Sequence, residues 1–231
     1  MKIKSVEPLI EMDLHFRSRL DCYYQSVLQH LEKNMITFLE IGVFKGEMHK
    51  YFIASMADRI EKYVGVDPYL GDERDPYFIG YWKGEKSNAE AAHDLAKSIL
   101  EAKYGPLVRE TSADFFRRNS ETFDVVIIDG DHRADPAYLD LIAGWKIVKP
   151  GGLLLMDDFA NPDHPGVHVA VKRFELEIAQ PEGVRAGVRY AFFDAVHAKR
   201  RLPYPLGVAY WIKPESGSGA VAEQGAGGVN S

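Results

Sequence analysis

Residues 124–139, DVVIIDGDHRADPAYL, carry an apolar run straight into Asp129, Asp131 and His132. A second apolar run, GGLLLM at 151–156, ends in the adjacent pair Asp157 and Asp158. If the two runs are neighbouring strands, three carboxylates converge at one sheet edge, where they repel strongly unless a cation lies among them. Oxygen-only donors select hard ions, so Asp129, Asp157 and Asp158 are the expected ligands of a divalent metal, Mg²⁺ first. An ion there would hold a hydroxyl oxygen and lower its pKa. His132 is the first candidate for the base that takes the proton, since imidazole titrates near working pH; Asp131 is the second. A turn histidine bonded to backbone and a solvated turn acid are the ordinary alternatives.

A second set of polar residues points to a small organic ligand. In FLEIGVFKGE, Gly42 and Gly46 fall at a strand-to-helix turn, where missing side chains let the backbone come close to a ligand. Glu40 lies near the same edge; a carboxylate there welcomes a cationic or hydroxyl-bearing group and repels a pyrophosphate. Asp67 ends the next run, YVGVDPY, and is placed to take both hydroxyls of a ribose. Ser112 and Asp114, in ETSADFF, fall at the end of the run after that. The competing roles are packing for the glycines, a turn for Asp67 and a helix cap for Ser112.

The elements that must position these residues follow from the hydrophobic pattern. Near-continuous apolar runs at 35–43, 63–69, 106–110, 124–129 and 151–158 read as strands buried on both faces. Helical spacing fills the intervals at 46–60 and 89–105, and again from Asp135 to the Lys149-Pro150-Gly151 stop. This alternation predicts an α/β fold with a parallel sheet covered by helices on both faces. Near the end, 188–196 and 206–214 follow one another without a helix, which predicts an antiparallel hairpin. In open sheets of this kind ligands gather beyond the carboxyl ends of the strands, where all the residues named above fall.

The motifs FLEIGVFKG, YVGVDPY, ETSADFF, DVVIIDGDH and IVKPGGLLLMDD resemble the successive motifs of class I S-adenosylmethionine-dependent methyltransferases. The resemblance is strongest to the metal-dependent small-molecule O-methyltransferases of the macrocin (sugar) and catechol types. It implies a Rossmann-like methyltransferase sheet, mostly parallel with a C-terminal antiparallel hairpin. It also implies that Glu40 and Gly42 face the methionine part of S-adenosylmethionine, Asp67 the ribose, and Ser112 to Asp114 the adenine. Asp129 then matches the first metal ligand, Asp157 and Asp158 the pair after the next strand, and His132 the position of a base. The family's turn often carries three glycines; here it has Gly42 and Gly46, with Val43 to Lys45 between.

Composition limits the rest. The 231 residues are 46% hydrophobic, enough for one substantial core, and the net charge of −6 offers no field for nucleic acid. Cys22 stands alone, which fits a reducing compartment, and no apolar run approaches the roughly 20 residues of a membrane span, so a cytoplasmic protein is expected. The expected organisation is a helical segment at 1–34, a catalytic domain at 35–214 and a disordered Gly- and Ser-rich tail at 215–231. Aromatic residues in the first segment, Phe16, Tyr23 and Tyr24, raise the expectation of a homo-oligomer. The expected activity is methyl transfer to a hydroxyl of a small acceptor, a sugar or natural-product scaffold. Three alternatives remain open: a cephalosporin-hydroxylase-like role, a non-catalytic S-adenosylmethionine-binding partner, and an NAD-dependent oxidoreductase, although the G-x-G-x-x-G turn is absent.

Overall fold

The computed structural model describes residues 14–100, 104–192 and 205–215. The apolar runs form strands β1 (Ile36–Ile41), β2 (Ile60–Val66), β3 (Leu107–Val108), β4 (Phe123–Ile128) and β5 (Val148–Phe159), followed by β6 (Arg185–Phe192) and β7 (Pro205–Ile212). Helices α1 (Leu14–His30), α2 (Glu47–Met56), α3 (Lys86–Leu100), α4 (Ser112–Arg118), α5 (Ala134–Ile147) and α6 (Pro165–Phe174) complete the described elements, α6 running on into a π-helical turn at Glu175–Ala179. The sheet order is β3-β2-β1-β4-β5-β7-β6, with β7 antiparallel to both neighbours and the other pairings parallel.

Every residue of β1 and β4 is buried, because helices cover both faces of the sheet centre. Successive residues feed opposite cores, as the two-residue period of a strand requires. Phe38 and Ile127 pack with Tyr23, Phe52 and Ala92 of α1, α2 and α3, whereas Leu39 and Val126 pack with Phe115, Leu141 and Val171 of α4, α5 and α6.

One difference from the sequence reading has a physical cause. β3 keeps only two residues because Arg109 turns aside to bond Glu90 and the Tyr69 carbonyl, and Thr111 already starts the next helix. α1 packs into the catalytic core: Tyr23 and Val27 are fully buried and Tyr24 lies edge-on to Tyr51. Tyr23 and Tyr24 thus have contacts within the chain; the Phe16 side chain lies outside the described residues. The tail from residue 216 onward does too.

At the amino-terminal end of the sheet, Asp124 accepts hydrogen bonds from the Thr37 N–H and hydroxyl and pairs with Lys33 at 2.5 Å and Lys149 at 3.0 Å. Burial opposes ionisation of this carboxyl, but these donors outweigh it and hold its pKa well below the usual range. The cluster ties β1, β4 and the start of β5 together at the end opposite the site.

Candidate active site

The carboxyl ends of β1, β2 and β4 are drawn close by one glycine. Gly42 has φ +86°, donates its N–H to the Val66 carbonyl, and lies so near β4 that a Cβ would stand 2.0 Å from the Asp129 carbonyl oxygen. No side chain fits there. Gly46, at φ +79°, is required by a different neighbour, since its Cβ would meet His49 Nε2 at 2.2 Å. It starts α2 and does not line the cleft.

Asp67 organises the turn between these strands. One carboxylate oxygen accepts the Val43 and Phe44 N–H groups at 3.0 Å each, and the other accepts the Tyr69 N–H at 3.0 Å. Burial pushes its pKa up and the three N–H donors oppose that shift. A carboxylate offers about four lone-pair sites, so capacity remains for ribose hydroxyls. Glu40 is almost wholly buried, accepting the Tyr63 hydroxyl at 3.0 Å and lying 3.2 Å from His49 Nδ1. Burial raises its pKa against the pull of those two partners.

The cleft above these residues has a volume of about 530 Å³, within the range of cofactor and small-molecule sites. The structure brings Glu40, Gly42, Asp67, Ser112, Asp129, Asp131, His132 and Asp158 to its walls. Asp114 stays outside: its N–H bonds Thr111 Oγ, its carboxylate accepts the Thr111 hydroxyl, and Arg117 pairs with it at 2.8 Å. Thr111, rather than Ser112, is thus the cap of α4, and Ser112 is left to face the cleft and bond Asp140, a carboxyl that burial pushes up to about 7. The segment 71–85 forms a wall. Tyr77 accepts the His132 N–H at 2.7 Å, and Trp82 donates to Asp75 at 2.6 Å.

Neighbouring residues of a regular strand point to opposite faces. Asp157 and Asp158 escape that rule because the β5–β7 register shifts between Met156 and Phe159, and Asp158 takes the left-handed conformation at φ +54°. Such a bulge re-aims a side chain at modest conformational cost. As a result Asp129, Asp157 and Asp158 offer carboxylate oxygens that all lie within 4.8 Å of one another. Asp157 sits deepest, accepting the Asp158 N–H at 2.7 Å, and Asn161 donates to Asp158 Oδ1 at 3.0 Å. The donor set and its spacing fit a divalent cation.

His132 completes this edge. Its Nε2 lies 3.3 Å from Asp129 Oδ1 and 3.4 Å from Asp158 Oδ2. Burial pulls its pKa down, but the carboxylates of Asp129, Asp158 and Asp157 outweigh burial and hold it above its ordinary value. Asp131 gives both oxygens to the Arg133 guanidinium. His164 lies against His132 with ring centres 4.1 Å apart and planes tilted by 38°, and reaches Asp158 Oδ2 at 3.7 Å. Burial and the neighbouring His132 push its pKa down. Its only signal in the sequence is its place six residues after Asp158, in a loop rich in other polar residues.

Comparisons with known proteins identify the domain and the fold that carry this cleft. A sequence model described as a methyltransferase domain matches residues 39–159, the span from β1 to the end of β5. A protein of Acanthamoeba polyphaga mimivirus, described only as uncharacterised, is 23% identical over 155 residues, a match that takes in 67% of this chain and 66% of that one. The chain thus matches just under two thirds of that relative. Among solved structures, the N-methyltransferase NodS of Bradyrhizobium japonicum is 14% identical with TM-score 0.56, covering 89% of this chain and 100% of that one. A candidate O-methyltransferase from Klebsiella pneumoniae is 16% identical with TM-score 0.53, covering 90% and 94%. At such identities the two structures speak for the shared fold. The matched domain, the sheet order and the cleft at the ends of β1, β2 and β4 together settle the family: the chain belongs to the class I S-adenosylmethionine-dependent methyltransferases.

Proposed function

We propose that the protein moves the methyl group of S-adenosylmethionine to a hydroxyl oxygen of a small molecule, with a divalent ion held by Asp129, Asp157 and Asp158. The observation that carries this reading is the carboxylate trio on the bulged end of β5 and the end of β4, within 4.8 Å, at the edge of the cofactor cleft. Family membership sets aside the NAD-dependent oxidoreductase.

S-adenosylmethionine supplies an electrophilic methyl group on a sulfonium. A bound divalent ion supplies positive charge that favours the ionised form of an acceptor hydroxyl. The chain supplies position. Gly42 lets the backbone of the β1 turn approach the cofactor, Asp67 bonds its ribose while bracing the same turn, and Ser112 borders the adenine end. Glu40, held by His49 and Tyr63, presents a fixed acceptor toward the methionine part. Tyr77 and Tyr81 wall the acceptor side and limit water access, which suits an in-line transfer dominated by alignment. The acceptor proton leaves toward one of two groups at this edge, His132 Nε2 or Asp131.

The acceptor class in this reading is a polyhydroxylated small molecule, a sugar or a natural-product scaffold. Cytoplasmic residence belongs to the same proposal, supported by a sequence whose single cysteine, Cys22, leaves no intrachain disulfide to form. Among the described residues no helix is long and apolar enough to cross a membrane. The test is a screen of hydroxylated metabolites with methyl-labelled S-adenosylmethionine. Label in an ether-linked methyl group is the expected result, and label found only on nitrogen or carbon acceptors contradicts it.

A further inference from the structure

We infer that the ion site is a mixed imidazole and carboxylate site, in which His132 and His164 bind through Nε2 alongside Asp158 and Asp129, and that it takes a transition-series dication in preference to Mg²⁺. The inference rests on the ion site of the proposed function and changes its chemistry.

The geometry is the first argument. One ring nitrogen each of His132 and His164 and an oxygen of Asp158 all lie within 4.8 Å of one another, and the Asp129–Asp157–Asp158 trio shares the same Asp158. Nε2 of His132 is 3.4 Å and Nε2 of His164 is 3.7 Å from the same oxygen, Asp158 Oδ2. Four donors around an ion at about 2.0–2.2 Å stand roughly 3.3–3.6 Å from each other when tetrahedral. Three of the edges, His132 Nε2 to Asp129 Oδ1 at 3.3 Å and the two rings to Asp158 Oδ2 at 3.4 and 3.7 Å, are close to that length.

The second argument is that independent elements are built to bring the two rings together. His132 lies on the turn between β4 and α5, anchored through its N–H to Tyr77. His164 precedes α6. These elements touch because residue 166 is glycine: a Cβ there would stand 2.4 Å from the His132 carbonyl oxygen. Asn161 fixes the other Asp158 oxygen at 3.0 Å, leaving Oδ2 turned toward both rings. The His132 side chain is only 7% exposed, so its Nε2 is aimed into the cluster rather than into solvent.

Donor chemistry then selects the ion. Mg²⁺ favours oxygen ligands and parts reluctantly with water, whereas nitrogen donors bind the later divalent ions with strength that rises from Mn²⁺ to Cu²⁺ and falls back at Zn²⁺. With Nε2 committed to an ion, His132 cannot also accept the acceptor's proton, and Asp131 becomes the base of the pair.

The test uses the untagged full chain, stripped by chelator and titrated with Co²⁺ and separately with Mg²⁺ by calorimetry, with visible absorption followed for Co²⁺. Wild type should bind about one Co²⁺ with the d–d bands of a nitrogen-ligated ion. His164→Ala and His164→Gln should lower Co²⁺ affinity by at least about tenfold, the floor set by loss of even an outer-shell partner, while Mg²⁺ affinity stays unchanged. Asp158→Ala should lower both. Binding of S-adenosylhomocysteine reports that each variant is folded. Should the variants fail to fold, pulsed paramagnetic resonance of the Cu²⁺-loaded wild type should show modulation from remote imidazole nitrogen. Unchanged Co²⁺ affinity and spectrum in both His164 variants, a parallel fall in Mg²⁺ affinity, or absence of nitrogen modulation overturns the inference. Nitrogen ligation without any methyl transfer would overturn the proposed function alone. Ion-dependent methyl transfer with oxygen-only ligation would overturn this inference alone.

Discussion

Nε2 of His132 lies 3.4 Å from Oδ2 of Asp158, joining the turn after β4 to a bulge in β5. The contact places an imidazole of the cleft wall at the position expected for an ion ligand. His132→Ala should therefore lose ion affinity and turnover together, and raising the pH should not restore turnover. A base would behave otherwise. Turnover lost by about 10²–10⁴-fold with the ion retained, and partly recovered at high pH, would return the proton-accepting role to His132.

Asp67 has two duties, bracing the Val43–Phe44 turn and facing the cleft. Asp67→Ala should weaken S-adenosylhomocysteine binding by about 1–3 kcal/mol, the cost of unpaired hydroxyls and amides. It should also lower the melting temperature, since three backbone N–H groups lose their acceptor. Calorimetric affinity equal to wild type would remove Asp67 from the cofactor site.

Asp124 tests the opposite end of the sheet. Asp124→Ala should destabilise the fold by about 1–3 kcal/mol by leaving buried donors unmet, with cofactor affinity unchanged. Because its folded pKa is depressed, its stabilisation is complete above the unfolded value of about 3.9 and is lost as pH falls toward the folded value. Denaturant melts of wild type and variant should differ fully at neutral pH and converge in strong acid. A gap that is constant with pH would contradict the ionised network.

Much of this was legible in the chain. Apolar runs buried on both faces gave the parallel strands, and the absence of a helix between 188–196 and 206–214 gave the antiparallel pair, which the structure begins at Arg185. Asp129 and Asp158 could be placed because residues at strand ends must face the ligand edge. What could not be read was backbone detail and neighbours distant in sequence. The bulge that turns Asp158 depends on pairing with β7, and the approach of His164 depends on Gly166 packing against the His132 turn. Asp114 went to its own helix cap, where its N–H donates to Thr111 Oγ and its carboxylate accepts the Thr111 hydroxyl, and Gly46 is needed by His49.

The central claim is that the acids at the ends of β4 and β5 hold an ion needed for methyl transfer to oxygen. Methyl-labelled S-adenosylmethionine and an acceptor found in the metabolite screen, assayed with demetallated and metal-restored protein, test it most directly. Transfer should vanish in the demetallated protein, return with the ion, and be absent in Asp129→Ala while S-adenosylhomocysteine still binds. Full transfer by demetallated protein in excess chelator would contradict the account.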